Sequence, residues 1–467
     1  MAARRGRPGN AVVTAEGAWS NDEYFALASG AADWLDTINA APGRPVAALI
    51  SATPYAFALL LGAAATERPL APLSPRLTVA ELSACLDALA PSVIIAEPAT
   101  EPVARAVSAA TGLPIHILTA IEPSTRELDL DPANDRAVCI VHTSGTTGLP
   151  KAVVQREGPM GARCDAYAPF LHLTPDDVYV SGSPFHHQGG LGMYVVAIAL
   201  GAAVVIFPQF SLDAWRALRP LRPTHIQLVP TMVRDLLDAG ELAIPSLRYI
   251  VYGAARMPVD TVRRAMAAAP GVSFVQGFSQ SEGGPIAVLS AEDHRLALAG
   301  HPELLDSVGQ PVPNTEIHIH EPGADGVGEI WARCEHSFVR DADGWQHYGD
   351  LGRLENGYLY VAGRGGDVIN RGGEKIYPQE VEEVVARHPG VREVSIAGIP
   401  DERLGAVPYG YVVPVDPVAP PDVDDLRAFA RQTLAGYKVP VRWIFVAELP
   451  KNAAGKVLRH RLAELAR

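Results

Sequence analysis

The segment Ile140-Val141-His142-Thr143-Ser144-Gly145-Thr146-Thr147-Gly148-Leu149-Pro150-Lys151 carries the strongest chemical signal in the chain. An apolar run, Ala137 to Val141, enters a loop of hydroxyls and glycines that closes on a lysine. Small residues let backbone N–H groups close around phosphate oxygens. The hydroxyls add donors, and the lysine adds a mobile positive charge. It is not a Walker A loop, because Gly145 and Gly148 stand too close and no Ser or Thr follows Lys151. A plain turn rich in small polar residues is the alternative; the density of hydroxyls directly after a strand weighs against it.

This loop resembles the signature loop of the acyl-adenylate-forming superfamily, which includes acyl-CoA synthetases, firefly luciferases and peptide-synthetase adenylation domains. Further matches follow in the family's order over nearly the whole chain. Gly253-Ala254-Ala255 resembles the loop that borders adenine and the acyl group. Phe278-Ser279-Gln280-Ser281-Glu282 resembles the Tyr-Gly-x-Thr-Glu motif. The resemblance implies that Phe278 stacks on adenine, Ser281 meets the α-phosphate, and Glu282 supplies a hard oxygen to Mg²⁺. Asp350, in Tyr348-Gly349-Asp350-Leu351, would accept from the ribose hydroxyls; by itself it reads as a hairpin aspartate. Arg364, in Gly363-Arg364-Gly365-Gly366-Asp367, would contact ribose or phosphate, with Gly366 as the hinge. Gly372 and Gly373, in Arg371-Gly372-Gly373-Glu374, would line a thiol tunnel. Lys456, in Leu449-Pro450-Lys451-Asn452-Ala453-Ala454-Gly455-Lys456, matches the catalytic lysine; without the other motifs it is a solvated surface charge. His187, Gln188 and Gly189, in Pro184-Phe185-His186-His187-Gln188-Gly189-Gly190, match the segment beside the acyl pocket, and a satisfied half-buried histidine is an equal reading of His187.

The resemblance implies ATP and Mg²⁺ as cofactors. It implies attack of an acid's carboxylate on the α-phosphorus, loss of pyrophosphate, and transfer of the acyl group to the thiol of coenzyme A or a carrier-protein phosphopantetheine. Lys456 would neutralise the two approaching anions. Departures mark a free-standing, divergent member: Ala152, Ala254, Arg256, Ser279, Tyr348 and Gly366 each replace a more usual residue. Arg256 and Tyr348 are bulky and either reshape the pocket or point outward. Amino-acid-activating relatives carry an aspartate just after the position of Phe185; His186-His187-Gln188 stands here, which disfavours a free α-amino acid. An aryl acid or a short to medium acyl chain fits better. An amine or other non-thiol acceptor, nitrous acid as the activated acid, and a catalytically inactive nucleotide-binding scaffold stay open as alternatives.

The elements that must hold these residues alternate between strand and helix in the first half. Asn21 to Leu35 reads as a helix capped by Ser20 or Asn21, with Leu27, Ala31 and Leu35 on one face. Pro54 to Ala65 and Thr78 to Leu89 read as helices, the second opened by a Thr78/Glu81 capping box. Pro45 to Ile50, Ser92 to Ala96, Val204 to Phe207, Ile226 to Val229, Leu247 to Tyr252 and Val272 to Gln276 read as buried strands. This rhythm predicts parallel sheets with right-handed crossovers. After residue 305 the pattern becomes antiparallel, with strands at Glu316 to His320 and Gly328 to Arg333, the pattern of a small barrel-like part. A compact α+β pattern follows: a helix opened by Pro378 with Val381, Val384, Val385 and His388 on one face, strands at Val394–Ala397, Tyr409–Val413 and Val441–Val446, a helix from Asp422 to Leu434, and a terminal helix. The expected fold class is α/β: a large N-terminal domain of parallel-sheet subdomains with a small β-barrel-like part (residues 1–365), then a small mobile α+β domain (366–467).

The chain has 467 residues, 48% hydrophobic and 19% charged, which supplies a large core, and a formal net charge of −13, which argues against nucleic acid as partner. Cys85, Cys139, Cys164 and Cys334 form no C-x-x-C pair, so neither a zinc ribbon nor a redox motif is present. Scattered thiols and the lack of a signal-like apolar segment after Met1 to Asn10 lead to the expectation of a cytoplasmic protein without a membrane span. The expected partners are a small-molecule acid and an acyl carrier protein in trans, with the protein a monomer or homodimer.

Overall fold

The computed structural model describes residues 6–15, 17–129, 131, 133, 135–143, 151–207, 209–372, 374–451 and 457–466. A large N-terminal α/β region is built on two sheets. The nine-stranded sheet runs, edge to edge, through Gln310–Pro311, Gly284–Leu289, Ser273–Gln280, Tyr249–Gly253, His225–Leu228, Val178–Ser181, Ala203–Val205, Asn10–Val13 and Ala18–Ser20. Its inner strands are parallel, and antiparallel partners close both edges. The six-stranded sheet runs through Ile115–Ile117, Val93–Ala96, Val46–Leu49, Leu70–Pro72, Ala137–Thr143 and Lys151–Arg156. Only its last pair is antiparallel. Val46–Leu49 and Val93–Ala96 are buried at every position, as strands covered on both faces must be.

Local chemistry sets the helix ends. Ser20 caps the Asn21–Thr37 helix in a capping box with Glu23, and Thr78 does the same with Glu81 for Val79–Leu89. Leu27, Ala31 and Leu35 are buried on the expected face. They pack against the Pro54–Ala65 helix, whose Gly62 permits the approach: a Cβ there would lie 3.0 Å from the Ala31 Cβ and 2.9 Å from the Ala32 nitrogen.

The antiparallel part is a four-stranded sheet, Thr315–His320, Gly328–Cys334, Gln346–Glu355 and Tyr358–Arg364, in sequential order and without closure into a barrel. The smaller C-terminal α+β domain has a five-stranded sheet. Glu374–Ile376, Ile369–Arg371, Gly405–Pro414 and Val391–Asp401 are neighbours, and Arg442–Phe445 pairs parallel to Gly405–Pro414. Its helices, Pro378–Val385 and Val423–Arg431, cover a separate core around Val381, Ile396, Val412 and Leu426. The Pro378 helix stops before His388, whose Nε2 lies 3.0 Å from Asp425 Oδ2.

Three features go beyond the sequence pattern. Asn10–Val13 and Ala18–Ser20 form an edge hairpin, and Lys151–Arg156 returns antiparallel along Ala137–Thr143. The Ser273 strand continues to Gln280, so Phe278, Ser279 and Gln280 lie on it rather than after it. Pairing with Gly284–Leu289 holds that extension in place. Among the described residues no helix is long and apolar enough to cross a membrane.

Candidate active site

Three strand ends meet at one place. Thr143 closes its strand, opposite Lys151 in the antiparallel register; residues Ser144, Gly145, Thr146, Thr147 and Gly148 lie outside the described residues. Lys151 is exposed at the start of the return strand. The Thr143 hydroxyl donates to Glu282 Oε1 at 3.0 Å, joining the six-stranded sheet to the turn that follows Gln280. That turn is held from the other side, because the Phe338 amide donates to the Glu282 carbonyl at 2.8 Å.

Gln280 links the same turn to the four-stranded sheet. Its Nε2 donates to the Tyr348 carbonyl and to Asp350 Oδ2, both at 2.7 Å. Asp350 faces Arg364 directly across the ladder, and Arg364 Nε meets Asp350 Oδ1 at 2.8 Å. Such a cross-strand pair fixes both side chains. Thr143, Glu282, Gln280, Asp350 and Arg364 therefore form one connected polar cluster. Glu282 and the Thr143 hydroxyl are hard oxygens, the donor chemistry that Mg²⁺ prefers beside phosphate. Among the described residues no group of three or more His, Cys, Asp or Glu could hold a metal by protein ligands alone.

Gly253 ends the neighbouring strand, where a Cβ would lie 2.7 Å from the Gly277 carbonyl oxygen. The close approach of the next strand thus requires glycine. Ala254 follows with φ +65°, a left-handed conformation that strains an L-residue by about 1–2 kcal/mol. Ala254 and Ala255 are exposed. Phe278 is half-buried, its ring centroid 5.9 Å from that of Tyr348. Tyr348 is 2% exposed and its hydroxyl donates to the Gly284 carbonyl at 3.4 Å, so this bulky residue points inward. Arg256 turns to the C-terminal domain, pairing with Glu383 and, at 3.5 Å, with Asp306. Ser279 is exposed and Ser281 half-buried on the same turn.

The segment expected beside the acyl pocket forms a π-helical turn, Gln188–Gly192. Such turns recur at functional sites. Gly189 is needed there, since a Cβ would lie 2.9 Å from Gln227 Nε2 and 3.0 Å from Ser183 Oγ. Gln188 Oε1 accepts from Gln155 Nε2. The His186 and His187 rings lie tilted against each other with centroids 4.5 Å apart, and the Nε2 of each is buried with no hydrogen-bond partner among the described residues. Burial pushes the His187 pKa down to about 4, and burial with the adjacent His187 pushes His186 to about 3. Both rings are neutral at neutral pH. His142, given no role in the sequence reading, also has a buried Nδ1 without a partner among the described residues.

Gly366 and Gly372 stand apart from the polar cluster. Gly366 lies in the Gly365–Asp367 turn directly after Arg364, and a Cβ there would meet nothing within 4 Å. Gly372 has φ +61° and donates its amide to the Leu404 carbonyl at 2.8 Å. Gly373 and Lys456 lie outside the described residues.

A further residue escaped the sequence reading. Arg163, on the Glu157–Leu171 helix, is 2% exposed, and its three guanidinium nitrogens are buried without a hydrogen-bond partner among the described residues. The available signal was its place on the helix: Met160, Arg163, Cys164 and Tyr167 fall at i, i+3, i+4 and i+7, which puts a cation on the apolar stripe.

Residues 2–338 match the AMP-binding enzyme family, and residues 380–456 match the AMP-binding enzyme C-terminal domain. The chain belongs to this family and, with it, to the acyl-adenylate-forming superfamily. It is 33% identical to a 2-succinylbenzoate–CoA ligase of Bacillus cereus (strain Q1) over 344 residues, 71% of this chain and 70% of the relative. It is 31% identical to the fatty acid–[acyl-carrier-protein] ligase ScoC of Streptomyces coeruleorubidus over 92% of this chain and 88% of that one. The fold superposes on the amide bond synthetase McbA from Marinactinospora thermotolerans with a TM-score of 0.88 and 27% identity, covering 98% of this chain and 97% of that one.

Proposed function

We propose that the protein activates a small carboxylic acid as its adenylate, releasing pyrophosphate, and passes the acyl group to the thiol of coenzyme A or a carrier protein. The observation that carries this reading is the polar cluster that ties Thr143, Glu282, Gln280, Asp350 and Arg364 into one network. In this reading Asp350 and Arg364 hold the ribose, and the 143–151 loop holds the β- and γ-phosphates. Gly253, Ala255 and Phe278 border the adenine and the acyl group. Glu282 would hold Mg²⁺, which supplies charge neutralisation on the phosphates.

The carboxylate oxygen attacks the α-phosphorus, the bond to pyrophosphate breaks, and the carboxyl carbon gains a good leaving group. Two anions must meet, so positioning and charge compensation supply most of the rate. Lys456 is assigned the role of bridging them. The neutral His187 and Gln188 border the acid. In the second step the C-terminal domain, from residue 366, rotates about Gly366, and Gly372 and Gly373 admit the pantetheine thiol. A cytoplasmic location suits the need for ATP and coenzyme A.

The likeness to the ligases named above supports the thiol acceptor. The likeness to an amide bond synthetase supports an amine as the second possible acceptor. Pyrophosphate release measured with a panel of aryl, acyl and dicarboxylic acids and nitrite, with and without coenzyme A or an amine, tests the reading. Acid-dependent release with thioester formation is expected. Amide formation without thioester selects the second acceptor, and no release with any acid contradicts both.

A further inference from the structure

Arg163 reaches inward from the Glu157–Leu171 helix and ends between two glycines. A Cβ at Gly284 would lie 3.0 Å from its Nε, and one at Gly192 would lie 3.1 Å from its Nη1. Gly192 closes the π-helical turn that begins with Gln188, and Gly284 opens the strand that follows Glu282. The guanidinium thus sits between the acid-side turn and the phosphate-side turn. Its plane is backed by Phe338, with Cζ 4.6 Å from the ring centroid, and the Phe338 amide is the donor that holds the Glu282 carbonyl.

A buried guanidinium ordinarily has a carboxylate beside it, because removing its charge from water is expensive without a counter-ion. Here the ionisable neighbours are Tyr167, Cys164, Cys139 and Tyr348. Burial raises the pKa of all four, to about 12 for Cys139 and about 11 for Cys164, so none carries a negative charge at neutral pH. His336, close by, is neutral as well. No carboxylate pairs with Arg163 among the described residues, whereas most other buried or half-buried arginines, such as Arg68 with Asp36 and Arg459 with Glu382, have one. The electron-rich face of Phe338 attracts the guanidinium but supplies neither a counter-charge nor a hydrogen-bond acceptor for its N–H groups.

We infer that Arg163 is a substrate-binding residue that pairs with a second oxyanionic group on the acid, so that the preferred substrate is a dicarboxylic acid or an acid of equivalent double charge. The inference rests on the acid-activating reading and deepens it. One carboxylate of the acid goes to the α-phosphorus; the other is held by the guanidinium. His186 and His187 directly precede the turn that Gly192 closes, and their Nε2 atoms are buried and without a hydrogen-bond partner among the described residues. A fixed cation in this place also repels a substrate ammonium, which agrees with the missing aspartate after Phe185.

The test compares the wild-type enzyme with Arg163→Met and Arg163→Lys in acid-dependent ATP–pyrophosphate exchange. The probes are matched acids, succinate against butyrate and phthalate against benzoate. At least one dicarboxylate should exceed its monocarboxylate partner in kcat/KM. Arg163→Met should erase that preference, lowering dicarboxylate kcat/KM by roughly 10²-fold, the usual consequence of truncating one member of a desolvated pair. It should leave the KM for ATP unchanged, and Arg163→Lys should recover part of the loss. Equal loss for mono- and dicarboxylates, or a raised KM for ATP, overturns the assignment, because the residue then serves the reacting carboxylate or the nucleotide. Failure of every acid to drive exchange in the wild type contradicts the catalytic reading instead. The inference is then judged by thermal unfolding without ligand, where an uncompensated buried charge predicts that Arg163→Met melts no lower than wild type. A melting temperature lowered by several degrees overturns it.

Discussion

Acid should unfold the large domain through its buried neutral histidines, among them three that are given no part in the chemistry. His225, His294 and His336 are 0%, 0% and 2% exposed. His225 Nε2 meets the Leu171 carbonyl at 2.9 Å, His294 lies between the Ser290 carbonyl and the Tyr252 hydroxyl, and His336 Nε2 meets the Pro285 carbonyl at 2.6 Å. Burial pushes each pKa down to about 4, against about 6.5 in an unfolded chain. The sign follows from linkage. The unfolded state binds the protons first, so stability is fully present above about pH 6.5 and falls as the pH drops toward about 4. Between about pH 7 and about pH 5 each histidine removes about 1.8 kcal/mol, and the three together about 5.5 kcal/mol. That is comparable with the whole stability of an ordinary domain, about 5–15 kcal/mol. Urea midpoints followed by tryptophan fluorescence would report it, since the fully buried Trp215 lies in the hydrophobic cluster of the nine-stranded sheet. The midpoint should fall steeply over that range, and His294→Gln should lessen the fall by the share of one such group, about 1.8 kcal/mol. A midpoint independent of pH, or a slope unaltered in the variant, would show that these histidines do not carry the loss of stability in acid.

Two further outcomes follow from the cluster and the domain contact. Asp350→Asn should raise the KM for ATP by about tenfold or more, the worth of hydrogen bonds to a charged acceptor, with kcat for pyrophosphate exchange far less affected; steady-state kinetics at saturating acid checks it. Arg256→Ala removes the partner of Glu383, whose side chain is 25% exposed, and should loosen domain docking. Cleavage of the segment around Gly366 by a dilute protease should then speed up by a few-fold, about 1 kcal/mol for a half-buried ion pair.

Residues whose meaning lies in local pattern were readable in sequence. Leu27, Ala31 and Leu35 announce a helix by spacing, Thr78 and Glu81 announce its cap, and the apolar runs at Val46–Leu49 and Val93–Ala96 announce buried parallel strands. What escaped depends on partners distant in the chain. The strand through Phe278 to Gln280 exists because Gly284–Leu289 folds back on it, and its own Gly-Phe-Ser-Gln composition gives no such cue. The hairpin at Asn10–Val13 and Ala18–Ser20 is short and flanked by polar residues, so its propensity is weak until Ala203–Val205 offers an edge. Motif residues could be named from the resemblance, but not that Thr143 bonds Glu282 or that Gln280 bonds Asp350, since these join positions far apart in sequence. Arg256 and Tyr348 could only be flagged as bulky. Their directions, toward Glu383 and toward Gly284, are tertiary facts.

Acid-dependent ATP–pyrophosphate exchange in wild type and in Lys456→Ala probes the centre of this account: two mutually repelling anions brought together by a charge from the C-terminal domain. Exchange should be clear in the wild type with at least one acid and should fall on the order of 10²–10³-fold in the variant, with the circular dichroism spectrum and melting temperature unchanged. Exchange at the wild-type rate in Lys456→Ala would contradict it.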